Sequence, residues 1–177
     1  RSGSWRYPNQ YINIVREFSD PETQTLRFQA EAADAYFDTT VGNTGGAYRD
    51  GDLDIAGLPT AGWYVGWTEP GEWIQFKEVW LACGTYCFTA KVRGSIGEQL
   101  HLEVDGASLG PAQITMGGPA NWQLLRLGTC VLSPGRHDLK LVFDTGQTEV
   151  DWFFSKKISQ TGPGCNCTHL KSINGYY

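Results

Sequence analysis

The fold class this sequence predicts is all-β, and three observations carry the prediction. Tyr86, Phe88, Ala90 and Val92 alternate with Cys87, Thr89, Lys91 and Arg93, and Leu100, Leu102 and Val104 alternate with Gln99, His101 and Glu103. That two-residue period is the signature of a strand with one face in a core. Turn signals fall between such runs, at Pro70-Gly71, Gly94-Ser95-Ile96-Gly97, Asp105-Gly106 and Ser133-Pro134-Gly135. No stretch between them keeps a helical period over a useful length. The expectation is a β-sandwich of about eight to ten strands over residues 26–158, with an N-terminal extension at 1–25 and an irregular tail at 159–177.

Taken in order, Tyr11–Phe18 has strong β propensity but is set apart by the turn-forming Ser19-Asp20-Pro21-Glu22-Thr23. It reads as an extra edge strand, a frayed arm, or a strand that pairs with a neighbouring copy. Leu26–Glu31 is the next strand, with Leu26, Phe28 and Ala30 on one face and Arg27, Gln29 and Glu31 on the other. A long Gly-, Asp- and Thr-rich region, 33–62, holds short strands, one of them near Leu53–Ile55. Tyr64–Phe76 reads as a hairpin around Pro70-Gly71, with Trp67 at its rim. A strand at Trp122–Leu127, another around Leu139, Leu141 and Phe143, and a last one through Val150, Trp152 and Phe154 close the body.

The chain has 177 residues, 41% of them hydrophobic and 19% charged, enough for one domain with a real core. A net charge of −5 with scattered Lys and Arg argues against nucleic acid. No apolar run reaches the roughly 20 residues needed to span a bilayer. Seven Trp and a 13% aromatic content suit a surface that stacks on flat, apolar ligand faces. Five cysteines and the sequon Asn166-Cys167-Thr168 favour an oxidising, extracellular setting with Asn166 glycosylated. An odd count allows at most two internal disulfides and leaves one thiol free or paired between chains.

Motifs of catalysis are missing from the sequence. Three His are present, and no nucleophile elbow, zinc-protease motif or phosphate loop accompanies them. Glu69 and Glu72 are the one carboxylate pair that a glycosidase reading could use, yet carboxylates three apart across a turn are usually solvated. The expectation is a protein without catalytic residues. Gln29, Glu31 and Asp151 are hard oxygen donors of the kind Ca²⁺ takes, whereas Asp50, Asp52 and Asp54 read as an acidic turn.

The segments FQAEAADAYFDTTVGNTGGAYRDGDLDI, YVGWTEPGEWIQF, GTYCFTAKV, LHLEVDG, NWQLLRLG, LSPGRHDLKLVFDTG and VDWFFS follow one another in this order. Together, over about residues 28–154, they resemble the family 6 carbohydrate-binding modules that accompany many polysaccharide-degrading enzymes. The resemblance implies a β-jelly-roll and a structural Ca²⁺ held by Gln29, Glu31, the Arg49 carbonyl and Asp151. It also implies a loop-end cleft in which Trp67 and Trp122 hold a sugar, with Glu72 accepting hydroxyl hydrogen bonds. Where the family often has Asn, two residues before the Asp-Trp of the last strand, this chain has Glu149, which accepts hydrogen bonds but lacks the amide donor.

The resemblance therefore implies a secreted, non-catalytic binder of a β-glucan, xylan, agarose or similar polysaccharide. A structural alternative stands beside it: a subunit of an extracellular fibril or surface layer, assembled by docking residues 11–18 onto the next copy.

Overall fold

Eleven strands and one 3₁₀ turn make up the described part of the chain, residues 24–160 of a computed structural model. The expected Tyr11–Phe18 strand, the Asn166 sequon and the cysteine-bearing tail lie outside the described residues.

The strands form two antiparallel sheets. The first runs β3 (Ile55–Gly57), β4 (Trp63–Val65), β11 (Glu149–Ser159), β6 (Gly84–Arg93), β9 (Gln123–Leu132), with β1 (Thr25–Gln29) also paired to β11. The second runs β2 (Ala35–Phe37), β5 (Trp73–Leu81), β10 (Gly135–Phe143), β7 (Gln99–Val104), β8 (Ala107–Gln113). The expected sandwich is therefore present, with eleven strands rather than eight to ten. The surplus comes from three-residue strands in the glycine-rich region, too short to show a period in sequence.

The core lies between the sheets. Tyr86, Phe88, Ala90 and Val92 of β6 face Leu100, Leu102, Leu139, Leu141 and Phe143 across it, all of them buried. Each large apolar side chain so buried is worth roughly 1.5–3 kcal/mol. Phe28 and Phe153 stack at 4.7 Å and both meet Phe76, which joins the two sheets through aromatic contacts.

Four expectations need correction. Tyr64–Phe76 is not a hairpin, because β4 belongs to the first sheet and β5 to the second. The loop between them crosses from one sheet to the other. Glu31 does not share an outer face with Gln29: the strand ends at Gln29, a 3₁₀ turn occupies Ala30–Ala32, and the change of period buries Glu31. In β11 the register slips between Val150 and Trp152, so Val150, Asp151 and Phe153 are buried while Trp152 and Phe154 stand half-buried on the other face. Lastly, Cys87 and Cys130 both carry free thiols. Cys130 pairs in register with the inward Tyr86 and Cys87 with the outward side, so their Cβ vectors diverge and no bridge can form. Three cysteines then remain, room for one internal disulfide rather than two.

Candidate functional site

Strand order builds the site. β4, β11, β6 and β9 are successive neighbours, and at one end of the sheet they carry Trp67 just past β4, Glu149 opening β11, Arg93 ending β6 and Trp122 just before β9. Residues scattered between positions 67 and 149 thus stand in a row. Neighbouring strands lie about 4.8 Å apart, so the outer two of the four are separated by roughly 14 Å. That leaves space for a ligand of sugar size between the indoles once their side chains lean inward.

Trp67 is 42% exposed and Trp122 half-buried, so neither ring is consumed by the core. Tyr64 is the ring that both indoles meet: it lies nearly parallel to Trp67 at 6.3 Å and edge-on to Trp122 at 5.9 Å. The two indoles therefore stand at a large angle to one another, with the buried Tyr64 ring, nearly parallel to Trp67, at the base between them. Tyr64 was not legible as a site residue, since its place in a short buried strand looks like core packing. Trp67 has φ +51, a left-handed conformation unusual for a bulky residue. Such strain persists only where the surroundings impose it.

Glu72 holds the loop that follows Trp67. Its carboxylate is 3% exposed and accepts hydrogen bonds from the Thr39 N–H at 2.7 Å, the Thr39 hydroxyl at 2.6 Å and the Glu69 N–H at 2.8 Å. The Trp67 loop is also tied to the 143–148 segment, through Gln147 N–H to the Thr68 carbonyl, the Thr68 hydroxyl to the Thr148 carbonyl and Gly71 N–H to the Phe143 carbonyl. The geometry does not bring Glu72 to the ring cluster as a free acceptor; it is spent inside the loop. The same bonds argue against its use as a glycosidase carboxylate.

Glu149 does reach the cluster, and it brings an unexpected partner. It is the register partner of Arg93, and the Arg93 Nε donates to its carboxylate. The Arg93 guanidinium lies 4.8 Å from the Tyr64 ring centre and 4.6 Å from that of Trp122. Gly66 makes this possible, because a Cβ there would sit 2.9 Å from the Tyr64 ring and 3.4 Å from the Glu149 Cγ. Arg93 carried no signal in sequence beyond its place on the outer face of an alternating strand.

The expected metal ligands are brought together in part. β4 pairs with β11 at Val150, and β1 takes over from Trp152, so the bulge at Asp151 falls where β1 ends. Glu31 follows that end directly, and the two buried carboxylates feel one another. Burial, with Asp151 adding repulsion, pushes the Glu31 carboxyl up to about 7. Its Oε2 is buried without a partner. Asp151 accepts from the Lys91 ammonium at 2.7 Å. Among the described residues no group of three or more His, Cys, Asp or Glu is placed to hold a metal ion, so other donors to an ion beside Glu31 and Asp151 would be neutral oxygens such as those of Gln29 and the Arg49 carbonyl. That carbonyl accepts from the Asn43 amide at 3.2 Å. Asp52 and Asp54 are used as turn acceptors, for Gly42 N–H and Thr44 N–H, in keeping with an acidic turn.

A second concavity, of about 390 Å³, lies on the outer face of the other sheet, lined by Trp73, Gln75, Glu103, Asp105, Gly106, Asp138 and Lys140. Its charges answer one another: Lys140 meets Glu103 at 2.5 Å, which holds that carboxyl below the usual range, and Asp138 accepts from Gln75.

Comparison with known proteins gives the class. The model of the carbohydrate binding module (family 35) matches residues 49–155, and the chain belongs to that family. A domain of unknown function matches residues 1–35. The C-terminal family 6 module of the laminarinase LamC from Zobellia galactanivorans shares the fold with a TM-score of 0.62 at 20% identity, covering 76% of this chain and 100% of that one. A β-1,3-glucan-binding family 6 module from Bacillus halodurans matches at 25% identity and a TM-score of 0.54, covering 72% of this chain and 92% of its own. The family 6-type jelly-roll expected from the sequence is thus the fold observed. The endo-1,4-beta-xylanase A of Thermoclostridium stercorarium is 25% identical over 94% of this chain. This chain spans 33% of that enzyme's length, and the module likeness is to binding domains rather than to catalytic ones.

Proposed function

We propose that this protein binds a polysaccharide of the β-glucan or xylan type, outside the cell and without cleaving it, in the cleft between Trp67 and Trp122. The observation that carries the reading is the row Trp67, Glu149, Arg93, Trp122 on four adjacent strand ends, floored by Tyr64. Indole rings offer apolar faces to the C–H face of a sugar, and the ion pair between them offers polar partners to its hydroxyls. Relatives that bind β-1,3-glucan, xylose and cellobiose support the polysaccharide class.

Mechanistically, binding consists of stacking on rings held in place before the ligand arrives. The Glu72 hydrogen bonds fix the loop of Trp67, and the Arg93 guanidinium packs over one face of the Trp122 ring. Such preorganisation lowers the ordering cost of association. A Ca²⁺ ion fits the hard-oxygen set around Glu31 and Asp151, with Gln29 and the Arg49 carbonyl as further donors, and would neutralise two carboxylates buried together.

Isothermal titration and affinity gels with xylan, β-1,3-glucan and cellulose oligosaccharides test the reading. Trp67→Ala and Trp122→Ala should each lower affinity by about 5- to 100-fold, the scale of one aromatic stacking contact. Retention equal to that of the unmutated protein in both variants removes the proposal.

A further inference from the structure

The ion pair at the floor of the cleft has more capacity than its protein contacts use. Arg93 spends Nε on Glu149 and Nη1 on the Pro119 carbonyl at 2.6 Å. Its Nη2 has no partner among the described residues, and neither Nη2 nor the second Glu149 oxygen is sealed from solvent. A guanidinium carries five N–H donors and a carboxylate about four acceptor sites. The floor therefore presents one donor beside one anionic acceptor, with no net charge, between two indoles.

We infer that Arg93, together with Glu149, sets the specificity of the cleft: the pair reads two adjacent hydroxyls of a neutral sugar and rejects uronic acids. The inference rests on the carbohydrate-binding reading and deepens it. A hydroxyl both donates and accepts, so neighbouring hydroxyls satisfy Nη2 and the free Glu149 oxygen together. A uronate carboxylate only accepts, and it would meet the Glu149 oxygen charge against charge. The pairing is fixed by strand register and by the ring contacts of Arg93, so the donor and acceptor hold a constant spacing. Lys91, 5.2 Å from the Trp122 ring centre, is paired with Asp151 at 2.7 Å.

The test compares xylohexaose, cellohexaose and laminarihexaose with trigalacturonate by isothermal titration, using the whole chain and the variants Arg93→Met, Glu149→Gln and Trp67→Ala. The unmutated protein should prefer one of the neutral oligosaccharides to trigalacturonate. Arg93→Met should lose about 10- to 100-fold in affinity for that neutral ligand, the scale of a hydrogen bond from a charged donor. Glu149→Gln should weaken neutral binding and, by freeing the Arg93 charge, bring on measurable trigalacturonate binding. A role of Arg93 confined to bracing the Pro119 loop cannot produce that change of selectivity. Should Arg93→Met fail to fold, the selectivity of Glu149→Gln decides alone.

If Trp67→Ala abolishes binding while the Arg93 and Glu149 variants keep wild-type affinity and selectivity, the specificity role is overturned and the carbohydrate-binding reading survives. Preference of the unmutated protein for trigalacturonate overturns the specificity role too. If no oligosaccharide binds the unmutated protein, both fall.

Discussion

A carboxylate sealed inside a protein must be given donors, and Glu72 is given three. Glu72→Ala leaves two backbone N–H groups without their acceptor next to a strained Trp67. The variant should lose about 2–4 kcal/mol of stability in urea titrations, since charged hydrogen bonds are worth about 1.5–3 kcal/mol each and are not additive. Glycan affinity should fall with it, because the loop of Trp67 loosens. His137 makes a second prediction at this scale. Burial opposes its charged form, but its Nδ1 meets the Asp105 carboxylate at 2.7 Å and its Nε2 the Ser133 carbonyl at 3.0 Å, and these hold its pKa above the ordinary 6.5. Two acceptors on one ring require two N–H groups, so the imidazolium is the bonded form. The stability it confers is complete below the unfolded pKa and is lost as pH rises through the higher folded one. Thermal melts from pH 5.5 to 9 should show a decline in the unmutated protein that His137→Gln lacks. At this scale the sequence showed which residues were aromatic or acidic, but not which carboxylates were already occupied. Glu72 and Glu149 look alike in a string; one is locked into a loop and the other stands beside an arginine that no local pattern ties to it.

Among the elements, the crossing from β4 to β5 matters most. Its turn dipeptide, Pro70-Gly71, is an honest hairpin signal, and the alternation on either side reads correctly as strand. What a local pattern cannot carry is the choice of sheet, which depends on pairings with β11 and β10 that lie 54 to 85 residues away. The same holds for β11. Its bulge moves Trp152 and Phe154 out and Asp151 in, a shift of one residue that reverses every later side chain. Gly66 tests how closely the elements are fitted at the cleft. Gly66→Ala should push the Tyr64 ring or Glu149 aside, cost about 1–3 kcal/mol by overpacking, and lower oligosaccharide affinity. A crystal structure or binding isotherm of the variant that matches the parent would show that the floor gives way more easily than its contacts indicate.

For the molecule as a whole, the sandwich itself was legible because alternation and turn signals agree over most of its length, and because each sheet has one buried face. The pair of Glu31 and Asp151 was legible only through the family resemblance, since it depends on β1 lying against β11. Calcium should raise the melting temperature and EDTA should reverse the rise, by an amount equivalent to about 2.7 kcal/mol when the free ion is at 100 times its dissociation constant. Asp151→Asn should remove most of that response; a melting point indifferent to calcium would exclude the ion from the proposal. The pairing of Thr25 with Lys156 has one more effect. It sets the two ends of the described body side by side, while Glu149 marks the opposite pole of the same strand, about 23 Å from Lys156 at 3.3 Å per residue. Chain that leaves the described body at either flank therefore departs from the pole away from Trp67, Arg93 and Trp122.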